Sequence, residues 1–194
     1  MKIDMLALAR HGAMAADILR YNAALLAQAR AVVNRLLYGA NADFCYAQAV
    51  GPHLRHVLDH YIAFMTGLER KPEIRIAYDA RDRDLALQSQ PTLTLSRLAR
   101  MEKQLLVCAD QPCPAWDMDT PVQVVALAGP AGEFELSTSS TLGRELFFLS
   151  SHTMHHFALV AHYCKAAGVD LGADFGKAPA TVAFERMVEA HACA

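Results

Sequence analysis

The 194-residue sequence lacks several features that would place it in a specialised class of protein. It has no run of about 18 uncharged apolar residues, which a membrane-spanning helix would need. It also has no excess of charge of one sign, because its formal net charge is -2. Without a basic surface there is no electrostatic case for binding nucleic acid or an anionic membrane. We therefore expect neither of these partners.

The chain also lacks the cysteine pattern of a disulfide-stapled secreted domain. Its cysteines are odd in number, scattered, and never in a C-x-x-C arrangement: Cys45, Cys108, Cys113, Cys164 and Cys193. The first residues faintly resemble a signal peptide, but Asp4, Arg10 and His11 interrupt the apolar stretch. We expect reduced thiols and a cytoplasmic location.

What the chain does contain is apolar residues with helical periodicity. They make up 54% of the sequence, and this length favours one domain, residues 1–194, with a full hydrophobic core. The periodicity predicts four long helices, at about residues 14–37, 51–69, 92–110 and 141–167. Two short runs, 122–127 and 133–136, flank a glycine-containing loop and predict a hairpin. The predicted fold class is therefore all-α, a four-helix bundle with a small β-hairpin inserted between helices 3 and 4.

Histidine is concentrated in the second and fourth predicted helices, which hold seven of the nine residues of this type. His53, His56 and His60 lie within about 60° of one another on the second helix. His152 and His156, four residues apart on the fourth helix, are separated by about 40°. Because apolar residues flank both stripes, both are expected to face the interior.

Clustered interior imidazoles are unfavourable unless something binds them, because each must stay neutral and protonating one disfavours protonating the next. A divalent transition ion removes this penalty, since neutral imidazole is a good ligand for Ni, Zn or Fe. The alternative is a set of hydrogen-bonded or exposed histidines without a metal. Haem bound by helix histidines is a further alternative, although no C-x-x-C-H motif is present.

A helix containing VGPHLRHVLDHY is followed by a long middle segment and then by GRELFFLSSHTMHHFALVAHY. This order resembles that of the DinB/YfiT-like family of bacterial four-helix-bundle metalloproteins. The resemblance extends over about residues 14–168. In that family one histidine of helix 2 and two residues four apart on a later helix bind a divalent metal. The resemblance implies His152 and His156 as the later pair and His56 as the helix 2 ligand. His60, on the same stripe, is the first alternative to His56, and His53 is the second.

The resemblance also implies a function. Family members with assigned activities are metal-dependent thiol transferases, isomerases or hydrolases, so we expect such an enzyme acting on a small molecule, for example a low-molecular-weight thiol. The alternative is a non-catalytic metal-binding or stress-associated protein with a structural metal. The long apolar faces, chiefly that of the first helix, favour a homodimer.

Three polar features near these helices have competing interpretations. Glu145, seven residues before His152, could orient a ligand or act as a general base, or it could pair with a neighbouring arginine. Asp59 could accept a proton from a histidine N–H or be solvated. The segment YDARDRD, residues 78–84, is expected to be a solvated loop, unless Arg81 or Arg83 contacts an anionic substrate.

Overall fold

The computed structural model describes residues 5–39, 44–70, 73–80, 82–111 and 117–192, with side chains described from residue 14 onward. The helices in these ranges are α1 (Met5–Gly39), α2 (Tyr46–Ala49), α3 (Gly51–Leu68), α4 (Leu85–Ser89), α5 (Pro91–Ala109), α6 (Leu142–Ala166) and α7 (Pro179–Ala192). The strands are β1 (Arg75–Ala77), β2 (Pro121–Ala128) and β3 (Phe134–Thr141).

The four long predicted helices correspond to α1, α3, α5 and α6. Proline opens α3 and α5, where its missing N–H leaves no hydrogen bond unmade. Thr141 caps α6, and its hydroxyl accepts a hydrogen bond from the Arg144 backbone N–H at 3.2 Å. The largest difference is in α1, which begins at Met5 rather than near residue 14.

The long helices pack against one another around an apolar core. α1 contacts α5 and α6, and α3 contacts the same two helices from the other side. Large side chains of α1, α3 and α6 are fully buried where these helices meet, among them Leu19, Leu26, Leu54, Phe64 and Phe157. This packing lays α3 along α6, the two helices that carry most of the histidines.

The strands form a single three-stranded mixed sheet in the order β1-β2-β3. β2 and β3 are antiparallel, with Pro121 opposite Thr141, and they include the predicted hairpin. β1 runs parallel to β2, with Ile76 opposite Val124. Because α3 contacts β1, the sheet lies beside the end of α3.

The predicted class, an all-α four-helix bundle with a hairpin insert, is therefore wrong. The hairpin is part of a mixed sheet, and the described ranges contain seven helices rather than four. Sequence reasoning did not predict β1 as a strand of a sheet, because three residues are too few for period-two alternation and the partner strand is far along the chain.

A close approach of two backbones fixes the start of α3. A side chain at Gly51 would overlap the carbonyl oxygen of Gln88, at the end of α4. Only glycine lets the chain pass at this distance. The approach sets the position of the first turn of α3, directly before His53.

A buried hydrogen-bond network joins α1, α3 and α6 beneath the histidines. The Tyr61 hydroxyl donates to Asn22 Oδ1 at 2.6 Å, and the Asn22 amide donates to the Leu146 carbonyl oxygen at 3.1 Å. The Thr153 hydroxyl donates to the Leu149 carbonyl oxygen at 2.7 Å, and its oxygen lies 3.3 Å from that of Tyr61. Because buried polar groups need partners, the network specifies how these helices align.

In the part of the chain that the structure describes, none of the helices combines the length and the apolar character that crossing a bilayer requires. The thiols of Cys45, Cys108 and Cys164 are free. Cys113 and Cys193 lie outside the described residues.

We expect Tyr61→Phe to lower the free energy of unfolding by about 1–3 kcal/mol, because it leaves the buried Asn22 carbonyl oxygen without its donor. Urea denaturation followed by circular dichroism measures the change. Tyr38→Phe is the control, since Tyr38 is 89% exposed at the end of α1. Equal stability of the two variants would contradict a structural role for the network.

Candidate metal site

Three imidazoles from α3 and α6 meet between the two helices. The ring centroid of His56 lies 5.0 Å from that of His152 and 4.7 Å from that of His156. The rings of His152 and His156, one turn apart on α6, are also 4.7 Å apart. All three side chains are half-buried.

The donor atoms of these three residues suit a single ion. One nitrogen from each lies within 4.8 Å of the others. Tetrahedral ligands with metal–nitrogen bonds of about 2.0–2.1 Å are about 3.4 Å apart, so rotation of the rings must bring the nitrogens closer together. Three neutral imidazoles form a donor set that divalent transition ions favour, and they leave further coordination positions open. The residues present therefore fit such an ion.

His60, the predicted alternative ligand, lies beside this group. Its Nδ1–H donates to the His56 carbonyl oxygen at 2.9 Å. Its ring centroid is 4.4 Å from that of His56 and 4.2 Å from that of His152. The hydrogen bond fixes the His60 ring against its own helix, on one side of the three-histidine group. Coordination by His60 stays a prediction.

His53, one turn before His56, contacts a different member of the group. Its Nδ1 is 3.0 Å from Nδ1 of His156, which is hydrogen-bonding distance. On its other side its ring centroid lies 5.6 Å from that of Tyr163. The three histidines of α3 thus have three different environments.

Two aromatic rings cover the His60 and His152 side of the group. Tyr78 stacks on His60 with ring centroids 5.3 Å apart, and Phe148 stacks on His152 at 5.4 Å. The two rings also contact each other. Apolar walls of this kind limit access of water and strengthen electrostatic interactions inside a site.

Glu145 is fully buried at the start of α6 and accepts three hydrogen bonds. The Tyr78 hydroxyl donates to Oε2 at 2.7 Å, while Ser140 and Arg144 donate to Oε1 at 2.6 and 2.8 Å. The predicted pairing with a neighbouring arginine is thus present. Glu145 is connected to the histidines through Tyr78, which stacks on His60. Its predicted role as a general base stays a prediction.

Two of the other charged residues singled out in the sequence, Asp59 and Arg83, lie in the described part of the chain. Asp59 is buried and accepts a hydrogen bond from Arg55, one turn earlier, at 2.8 Å. Arg83 is exposed and has a positive φ of 48°. Arg81 lies outside the described residues.

Burial and mutual repulsion keep His156 neutral. Burial is the main cause that lowers its pKa to about 3, and His152, His53, His155 and His60 lower it further because each could carry positive charge. Burial, assisted by His155, also lowers the pKa of His53. Burial and the charge of Glu145 raise the pKa of Tyr78, so its hydroxyl remains a donor. A neutral imidazole is the form that binds a metal ion.

Sequence reasoning missed the roles of Tyr78 and His53. Tyr78 begins the segment expected to be a solvated loop, and nothing local indicates that its hydroxyl reaches Glu145 on α6. His53 did carry a signal, because its spacing places it on the stripe of His56. The spacing could not indicate which ring of α6 it contacts.

Comparison with known proteins adds one partial likeness. The chain is 28% identical over 105 residues to a protein named FK506-binding protein 5 from Rhizopus delemar, a match that covers 54% of this chain and 26% of that protein. The chain thus spans about a quarter of the length of this curated relative. No family model matches the chain, and no solved structure matches it.

We expect the metal-free protein to lose stability as the pH falls from 7 to 5. Below about pH 6.5 the unfolded chain protonates His156, whereas the folded protein, with its pKa near 3, does not, so acid favours the unfolded state. Well above pH 6.5 the ring is neutral in both states, so there it makes stability neither rise nor fall with pH. Urea titrations with a chelator present measure this dependence.

The His156→Gln variant should show a shallower dependence over this interval, which lies above the range in which most carboxylates titrate. His162→Gln is the matched control, because His162 is exposed on the same helix. Equal slopes for wild type and His156→Gln would contradict the account.

Proposed function

We propose that this protein binds one divalent transition ion (Ni, Zn or Fe) through His56, His152 and His156, and that it is a metal-dependent enzyme of the thiol transferase, isomerase or hydrolase type. The observation that carries the proposal is the convergence of three imidazole nitrogens within 4.8 Å, from two helices whose histidines are about a hundred residues apart. Without a bound ion, placing several imidazoles together in a half-buried position costs free energy, and metal binding offsets this cost.

The resemblance to the DinB/YfiT-like family supports the same assignment. The three converging residues are the three to which that resemblance assigned the metal. Membership in that family is part of the proposal, as are a cytoplasmic location and a low-molecular-weight thiol as the small-molecule substrate.

The ion would supply Lewis acidity, which activates a thiol or water or polarises a carbonyl. The chain's own residues have other tasks. The three imidazoles are donors presented from two rigid helices, so rotation of the rings is enough to bring their nitrogens to one ion. Phe148 and Tyr78 restrict water on one side of the site. His60, bonded to the His56 carbonyl oxygen, has ring contacts with both of them.

Glu145 is proposed to act through Tyr78. Both of its carboxylate oxygens accept hydrogen bonds from neighbouring side chains, which supports a role in holding the Tyr78 ring against His60. Because Glu145 is fully buried, direct proton transfer to a substrate would require the surrounding side chains to move.

Single substitutions of the three histidines test the proposal. His56→Ala, His152→Ala and His156→Ala should each reduce bound Co²⁺, used as a spectroscopic probe, from one equivalent to well below half. Equilibrium dialysis gives the stoichiometry, and circular dichroism should show that helical content is retained. His162→Ala, a substitution of an exposed histidine on α6, should bind as wild type does. Full stoichiometry in all three variants would overturn the assignment.

A structural rather than catalytic ion is the alternative, because the site joins α3 to α6. These helices are also joined by buried apolar side chains and by the Tyr61–Thr153 contact. We therefore expect the chelated protein to keep its helical content and to unfold cooperatively in a thermal melt.

Loss of the folded state on chelation at 25 °C would favour the structural role. If the chelated protein stays folded, a screen of thiol-transfer, isomerisation and hydrolysis substrates with the metal-loaded protein would identify the reaction.

A further inference from the structure

His53 contacts one of the three proposed ligands, His156. The described ring contacts of His53 are with His156, at 5.3 Å between centroids, and with Tyr163, at 5.6 Å. Its Nδ1 lies 3.0 Å from Nδ1 of His156. This contact joins the first turn of α3 to the later half of α6.

We propose that His53 is a positioning residue for His156. The unprotonated Nδ1 of His53 accepts a hydrogen bond from Nδ1–H of His156. This leaves Nε2 of His156 without a proton and able to bind the ion. The inference rests on the proposed function. It assigns to His53 a role distinct from that of the three ligands.

The tautomers follow from the distance between the two nitrogens. At 3.0 Å one Nδ1 must carry the proton and the other must be bare, since a neutral imidazole has one donor and one acceptor nitrogen. If His53 were the donor, His156 would carry its own proton on Nε2 and could not bind an ion through that atom. If His156 is the donor, Nε2 is free of a proton. A metal bound at Nε2 therefore requires His53 to be the acceptor.

The geometry also separates this role from that of a fourth ligand. The described residues whose donor atoms lie within 4.8 Å of one another are His56, His152 and His156, and His53 is outside that group. Metal-binding histidines generally donate the second ring N–H to a fixed acceptor, which orients the ring and raises its basicity. His53 is in the position of that acceptor, and its contact with Tyr163 holds its ring.

Nuclear magnetic resonance of the metal-free protein tests the hydrogen bond without reference to activity. Long-range ¹⁵N–¹H spectra, assigned by loss of the His156 signals in His156→Gln, report which nitrogen of His156 carries the proton. We expect Nδ1–H in wild type and mainly Nε2–H in His53→Ala. His53→Asn keeps an oxygen acceptor near the Nδ1 position and should retain Nδ1–H. An Nε2–H tautomer in wild type, or no change in His53→Ala, would overturn the inference.

The affinity for Co²⁺ tests whether this hydrogen bond supports metal binding by His156. In chelator competition with Co²⁺, His53→Ala should bind one equivalent about 10-fold or more weakly, with His53→Asn closer to wild type and His162→Ala unchanged. Affinity equal to wild type in His53→Ala would overturn this inference and leave the proposed function standing. Loss of the whole equivalent would make His53 a ligand and also overturn it. A wild-type protein that binds no Co²⁺, Ni²⁺ or Zn²⁺ would overturn the proposed function itself.

Discussion

The contact between α3 and α6 is the constraint on which the candidate site depends. Neither helix carries enough imidazoles in the right positions to surround an ion alone. His56 must come from α3, and His152 and His156 from α6. Because the two helices are rigid and packed through buried apolar side chains, a shift of either by a few ångströms would separate the donor atoms beyond the reach of one ion.

Polar contacts on two sides keep this arrangement in register. Beneath the histidines, Tyr61 joins Asn22 and Thr153, so that α1, α3 and α6 share one network. On another side, Glu145 holds Tyr78 against His60. Each of these groups is buried, and an unsatisfied partner would be costly, so each contact selects one alignment of the helices. Apolar packing alone tolerates several alignments of similar energy.

The parts that sequence reasoning predicted well are those encoded by local periodicity. The long helices and the stripe of His53, His56 and His60 follow from spacing, and so does the pairing of His152 with His156. The parallel pairing of β1 with β2 and the reach of Tyr78 to Glu145 depend on residues far apart in the chain, which no local period reveals. For the same reason, spacing left open which histidine of α3 joins those of α6.

The three histidines of α3 show how residues with one spacing come to differ in their contacts. His60 donates Nδ1–H to a backbone carbonyl of its own helix, and Nδ1 of His53 is within hydrogen-bonding distance of Nδ1 of His156, whereas His56 is the one whose donor atom lies with those of the α6 pair. Which nitrogen of an imidazole is bare depends on what its other nitrogen contacts. Residues with one spacing on a helix therefore differ in chemistry because of what each ring contacts, and these contacts between distant segments decide which of the three rings meets those of α6.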